Sequence, residues 1–381
     1  MIRMVYPYSN AFASGLNIDI KTLSLGVTLR SIAGAFGPFL AFFADNRGRK
    51  FGMLFGLSLF TVGTGLMALW PTYPIFILTL ILTLLGNLVF IPAMQAYLGD
   101  RVPYRRRGRA MAISELGWSL SFIIGVPLVG LLISRAGWQA PFPVLTVLGI
   151  LSIAVLLIML PKDVSSQAGT NSLLHNMRQV FTYAPAVAGL LMGASMSAAN
   201  ELVNLTFGVW MEDTFAVSIA ALAVASLVIG LSELGGEGLV GLFADDLGKA
   251  RAVGIGLALN SLAALALPLI GQSLTGGLVG LFLFYFTFEF TIVSGIPLMT
   301  EVLPSARATL MATWIASISL GRALGAFLAP WLYTAKFTSG MTLIVAATVG
   351  FNILAYLALR RVKINRLNEQ AAGEVQKNES G

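Results

Sequence analysis

Seven ionisable side chains lie inside long apolar stretches: Arg30, Glu115, Glu201, Glu233, Glu237, Glu289 and Arg322. A charge at the centre of an apolar span costs about 2.5–3.5 kcal/mol on insertion scales. Each must therefore face a cavity, pair with a counter-charge or hold a proton. Glu233 and Glu237, in LVIGLSELGGEGLVG, are four apart and face one way on a helix. Two carboxylates that close in a low dielectric do not readily both ionise, so one is expected to hold a proton, or the two to hold a cation between them. Asn200, Glu201 and Asn204 share a helix face by their spacing. They read either as the polar lining of a cavity or as a buried polar contact between helices. Glu289, in TFEFT, is the most isolated acid, and it either pairs with Arg322, in SLGRALG, or binds protons itself. Arg30 either compensates an acid on another helix or meets an anionic group of a ligand. Glu115, close to the basic run 105–109, reads as a structural ion pair. Five acids against two arginines leave three carboxylates unpaired, which favours proton coupling or a cationic ligand.

The elements that must carry these charges are legible from composition. The chain has 381 residues, 57% of them hydrophobic and only 11% charged, against about 25% charged in a typical soluble domain. Mean hydropathy is +0.84. A soluble globular enzyme, a nucleic-acid binder and a disordered chain are excluded, and an all-α integral membrane protein remains. Eleven apolar spans are predicted at 22–44, 51–70, 74–98, 110–134, 141–160, 184–207, 217–244, 251–270, 277–299, 308–333 and 340–359. Residues 1–18 read as a twelfth, abbreviated span. Twelve spans need about 250 residues at roughly 20 each, so no large soluble domain fits. Glycines spaced for close helix approach recur within spans, as at Gly34 and Gly37, Gly125 and Gly130, and Gly321 and Gly325. Pro127 and Pro330 are expected to bend their helices.

The charges outside the spans are sorted. Eighteen of the 24 basic residues fall on the side that carries Arg47, Arg49 and Lys50, the run 105–109 and the tail. Lys21, Arg135 and Lys336 lie on the other. Short basic loops stay in the cytoplasm, so both termini are expected there, in a cell membrane, and the net charge of +7 describes topology. The chain has no cysteine and one histidine, His175, in a polar link. Thiolate and multi-histidine metal sites are thus ruled out, and neither metal nor cofactor is expected. There is no G-x-x-x-x-G-K-[ST] loop for ATP. The aromatic cavity candidates are Trp118, Trp210, Tyr285, Phe286, Phe288, Phe290 and Trp314. Aromatics with few charges suit an amphipathic ligand.

A repeat divides the chain. AFFADNRGRK at 41–50 matches GLFADDLGKA at 241–250, with Asp45, Gly48 and Arg49 answered by Asp245, Gly248 and Lys249. Val102-Pro103 with Arg109-Ala110 is likewise answered by Leu303-Pro304 with Arg307-Ala308. Parallel repeats of this kind build transporters whose halves rock about a site trapped between them. The division predicted is a six-helix bundle over 1–160, a cytoplasmic link over 161–182, a second bundle over 183–360 and a polar tail over 361–381.

With these motifs the chain resembles the major facilitator superfamily. That family's signature between helices 2 and 3 reads Gly-x-x-x-Asp-Arg-x-Gly-Arg-Arg/Lys. Asp45, Gly48, Arg49 and Lys50 match it, while Ala41 and Asn46 depart from it. The second copy keeps Gly241, Asp245, Gly248 and Lys249 but has Asp246 and Ala250. Gly125-Val126-Pro127 only loosely resembles the Gly-Pro signature of proton-coupled antiporters. The resemblance implies a twelve-helix bundle of two six-helix halves, working as a monomer. It also implies a cytoplasmic latch at the loop motifs. Helices 1, 4, 7 and 10 would line the cavity, placing Glu201 and Glu289 near substrate. Helices 2, 5, 8 and 11 would form the interface, placing Arg30, Glu233, Glu237 and Arg322 there. The function expected is secondary transport by alternating access, as proton-coupled efflux of a small amphipathic compound, without enzymatic activity. A lipid or lysolipid exporter and a non-transporting receptor or scaffold are the alternatives.

Overall fold

The computed structural model describes residues 1–37, 39, 47–102, 117, 120–161, 173–335 and 340–362, apart from the side chains of 99–100, 173–175, 241–246, 308 and 340. Asp45, Asn46 and Glu115, and the side chain of Asp245, lie outside the described residues, as do Trp118 and the His175 side chain.

The first half begins with two short helices, α1 (Ile2–Val5) and α2 (Ser9–Gly15). It continues through α3 (Ile20–Gly34), α4 (Arg49–Leu69), α5 (Tyr73–Arg101), α6 (Val126–Ala136) and α7 (Pro141–Met159). Then α8 (Leu173–Thr182) lies within the predicted link. The second half comprises α9 (Ala184–Phe215), α10 (Ile219–Leu247), α11 (Lys249–Ile270), α12 (Leu274–Val302), α13 (Arg307–Tyr333) and α14 (Gly340–Leu359). Among the described residues nine helices are long and apolar enough to cross a membrane. Their outward faces are apolar, with Ile158 83% and Leu269 72% exposed, as a lipid-facing surface requires.

Local signals set the ends. Prolines stand in the first turns of α5, α7 and α9, where no N–H is needed. Asp19 caps α3 by accepting from the Thr22 N–H at 2.9 Å. Gly48 and Gly248 precede α4 and α11 with φ of 106° and 80°. That left-handed backbone is strained for any residue with a Cβ. It explains why glycine appears in both copies of the repeat. Upstream of Pro127, residues Ser121–Gly125 form a π-helical turn that runs into α6. Proline cannot donate to the preceding turn, and the helical register slips just before it.

The first segment departs from the single short span expected. It is broken at Tyr6, Pro7 and Tyr8, since proline interrupts the helical ladder. Val5, Tyr8 and Phe12 are nevertheless fully buried. The Phe12 ring lies 5.8 Å from Phe76 and 6.2 Å from Phe142, and the Tyr8 hydroxyl donates to the Val126 carbonyl at 3.1 Å.

Within the first half α4 packs on α5 and α7, and within the second α9 packs on α13 and α14, α11 on α12, and α10 on α12. The halves meet where α3 lies on α13, α6 and its π turn lie on α10, and α2 touches α9. A separate buried network ties α11, α12 and α14: Asn352 donates to Asn260, which donates to the Phe284 carbonyl and Thr287.

Candidate functional site

Asn200, Glu233, Glu289 and Arg322 each fall within two residues of the middle of α9, α10, α12 and α13. Four helices of the second half therefore bring polar groups to one level, and α1 with the break that follows it brings Arg3 and Tyr6 of the first half to meet them. Together they enclose a cavity of about 240 Å³. Its polar wall is formed by Arg3, Tyr6, Ser197, Asn200, Asn204, Glu233, Glu289 and Arg322. Its apolar wall is formed by Ile2, Phe122, Phe288, Ile292, Val293, Ile296 and Ile318.

Arg3 makes the ion pair that the sequence reading missed. Its guanidinium lies 2.9 Å from a Glu233 carboxylate oxygen and 4.3 Å above the Phe122 ring. The pair joins the two halves. It corrects the sequence ledger, since three arginines, not two, face the buried acids. The signal was present: Arg3 is the one charge in the apolar opening residues 1–18 before Asp19. Glu233 thus faces Arg3 across the cavity instead of sharing a proton or cation with Glu237 alone. Glu237 sits one turn further along α10, half-buried.

The cluster Asn200, Glu201 and Asn204 is assembled as the spacing implied. Glu201 is fully buried. The Tyr6 hydroxyl lies within donor distance of both its oxygens, at 2.8 and 3.0 Å. The Asn204 amide donates to Glu201 at 3.3 Å and to the Asn200 carbonyl oxygen at 2.8 Å, while Tyr285 donates to Asn204 at 2.5 Å. Tyr6 and Tyr285 are further residues that helix-face reasoning did not reach, because their partners lie 195 and 81 positions away. A hydrogen bond to a charged group contributes about 1.5–3 kcal/mol, so Tyr6→Phe should destabilise the fold by about that much, read as a lower unfolding midpoint in detergent.

Glu289 is 8% exposed and Arg322 half-buried. No ion pair joins them among the described residues, so that alternative is not realised. The packing explains this: α13 is held against α9, where a Cβ at Gly325 would lie 2.8 Å from the Glu201 Cβ and 2.5 Å from the Ala198 carbonyl oxygen. Arg30 is 7% exposed, within electrostatic reach of Tyr6, Glu201 and Arg322. Two arginines, Arg3 and Arg322, and two glutamates, Glu233 and Glu289, therefore line one cavity between the halves.

Beyond the cavity, towards Asp19, the halves are in contact. The Tyr6 and Pro7 carbonyls press on Gly208, Asn10 hydrogen-bonds Glu212, and the Ser24 hydroxyl donates to the Ala326 carbonyl. At the other end, Lys50 and Lys249 have contacts inside their own halves. The Lys50 ammonium donates to the Leu157 and Leu160 carbonyls at 3.0 and 2.5 Å, and Lys249 pairs with Glu301.

Comparison with known proteins places this arrangement. The family described as Major Facilitator Superfamily matches residues 1–293. The MFS-type transporter YwfA of Bacillus subtilis (strain 168) is 23% identical over 378 residues, covering 97% of this chain and 92% of that protein. The citrate-proton symporter of Klebsiella pneumoniae is 25% identical, covering 93% and 85%. Among solved structures, the D-xylose-proton symporter superposes with a TM-score of 0.74 at 16% identity, covering 92% and 91%. This last likeness is one of fold. With the helix order above, it bears out the all-α, twelve-helix membrane bundle of two six-helix halves. The similar proteins are transporters, not enzymes. On the family match and the shared fold, the chain belongs to the Major Facilitator Superfamily.

Proposed function

We propose that the protein is a secondary transporter that exports a small amphipathic compound in exchange for protons, by alternating access, as a monomer in the cell membrane with both termini in the cytoplasm. One observation carries this reading: Glu289 sits at the mid-depth cavity between the halves without an ion-pair partner among the described residues. A carboxylate in that position is expensive to hold charged. Binding and releasing a proton there would change the charge of the cavity between its two exposures. The neighbouring Arg3–Glu233 pair spans the halves, so rocking must break it or carry it along. Two of the similar proteins carry "proton symporter" in their names, which supports coupling to protons. The apolar wall of the cavity supports an amphipathic substrate, and the basic loops beside Gly48 support a cytoplasmic placement of that end. There, Asp45, Gly48, Arg49 and Lys50, with Asp245, Gly248 and Lys249, would form the gate.

The test uses the full chain in proteoliposomes with an imposed pH gradient and a panel of small amphipathic compounds. Wild type should drive substrate against its gradient and move protons in the opposite direction. Glu289→Gln should abolish gradient-driven accumulation while leaving exchange at equal pH. Accumulation that ignores the pH gradient would sink the coupling. Movement of lipid analogues alone would favour the lipid exporter, and no movement of any kind would favour a receptor or scaffold.

A further inference from the structure

Resting on the transport reading, we infer that the head group recognised in this cavity is an anion, a single carboxylate or its equivalent, carried on a compact apolar body. The argument is one of unpartnered donors. Among the described residues, four buried polar atoms on the cavity wall make no hydrogen bond: Arg322 Nε, Asn200 Nδ2, Ser197 Oγ and Glu233 Oε2. The Glu233 oxygen is held in the ion pair with Arg3; of the other three, two are N–H donors and the third is a hydroxyl able to donate. Leaving such atoms unbonded costs about 1–3 kcal/mol each, so a site that keeps three together is built for a ligand that accepts.

The donor sense of Asn200 is fixed by its surroundings. Tyr285 donates to the Asn204 carbonyl oxygen at 2.5 Å, and the Asn204 amide donates to the Asn200 carbonyl oxygen at 2.8 Å. The acceptor of Asn200 is thereby used, and its NH₂ is what remains for the cavity. Asn200 and Ser197 are 3% and 1% exposed and stand three apart on one face of α9. Arg322 is placed beside them because the neighbouring Gly321 lies against the Ala194 carbonyl. Of the other arginines, Arg3 is engaged by Glu233, and Arg30 does not line the cavity.

Glu289 faces the same space from α12. One turn beyond Glu289, Ile292, Val293 and Ile296 offer an aliphatic wall to the rest of the molecule. The volume, about 240 Å³, falls just under the range of about 300–1,000 Å³ usual for small-molecule sites, so the body is small.

The experiment measures binding of three probes on one scaffold by the full chain in detergent: 3-phenylpropionate, 3-phenylpropanamide and 3-phenylpropylamine. Calorimetry should show the carboxylate bound at least about tenfold more tightly than the amide or the amine, as expected for 1.4 kcal/mol or more of head-group recognition. Arg322→Gln should erase that preference and Arg322→Lys retain part of it, with Asn200→Ala weakening the carboxylate selectively. A monodisperse elution profile establishes that each variant is folded. Equal or absent binding of the three, preference for the amine, or an unchanged preference in Arg322→Gln and Asn200→Ala overturns the inference. The transport reading is judged separately. Carboxylate binding without pH-driven flux would leave the head-group assignment standing and remove the coupling. Flux of amines alone would do the reverse.

Discussion

Replacing Arg3 with alanine should cost about 3–5 kcal/mol of stability, the penalty for leaving one partner of a buried ion pair behind. The pair is well formed, at 2.9 Å, with both side chains about nine-tenths buried. Its partner Glu233 sits at the middle of a membrane helix, where an unpaired charge is costly. The loss should appear as a lowered unfolding midpoint in detergent. Acidifying the buffer should relieve part of it, because a protonated Glu233 no longer needs a counter-charge. The informative control is the double change Arg3→Met with Glu233→Met. Apolar replacement of a whole buried pair is often neutral or stabilising, so the double variant should recover most of the stability while losing transport. A double variant as unstable as Arg3→Ala would mean that shape around Phe122, not charge, governs this contact.

The second large effect is expected at Gly325. The α9–α13 packing places the Ala198 carbonyl oxygen 2.5 Å and the Glu201 Cβ 2.8 Å from where an alanine methyl would stand. Neither can yield without moving a helix. Gly325→Ala should destabilise by about 1–3 kcal/mol, the usual cost of overpacking. It should also weaken transport, because Glu201 is displaced from Tyr6. The same chemical change at Gly254 meets only Leu359 and Tyr356 side chains at 3.6 Å, an ordinary contact. Gly254→Ala should therefore be neutral or stabilising by up to about 1 kcal/mol, since alanine is the better helix former. Thermal unfolding of the two variants side by side checks the argument, and equal effects would defeat it.

Much of the fold was legible in the sequence because the membrane is an undemanding code: every span must be apolar and long, and the runs could be read off directly. The repeat was legible for a sharper reason. Gly48 and Gly248 both occupy left-handed backbone, and a position that excludes a Cβ leaves its mark in both halves. At the site, the grouping of Asn200, Glu201 and Asn204 followed from helix geometry and is present. What one face of one helix could not tell is which distant group answers it. Tyr6 answers Glu201 from 195 positions away. Arg3 answers Glu233, although Glu237 was nearer in sequence. Pairing of Arg322 with Glu289, one of the two readings of that acid, is not realised, and α13 packs more extensively on α9 and α3 than on α12. Tertiary contact, set by small residues such as Gly321 and Gly325, overrode chain order.

The break in the first segment has a mechanical consequence. Arg3 is carried by α1 and Asn10 by α2, with Tyr6–Tyr8 between them and the Tyr6 and Pro7 carbonyls seated on Gly208. Had these residues formed one rigid rod, any tilt that pulled Arg3 from Glu233 would have levered Asn10 from Glu212 in the same motion. A jointed pair of leaves turning on a pin obeys no such constraint. The inner contact can open while the outer one stays shut, and the outer can then follow in its own time. On the transport reading, the two contacts would then be free to open one after the other.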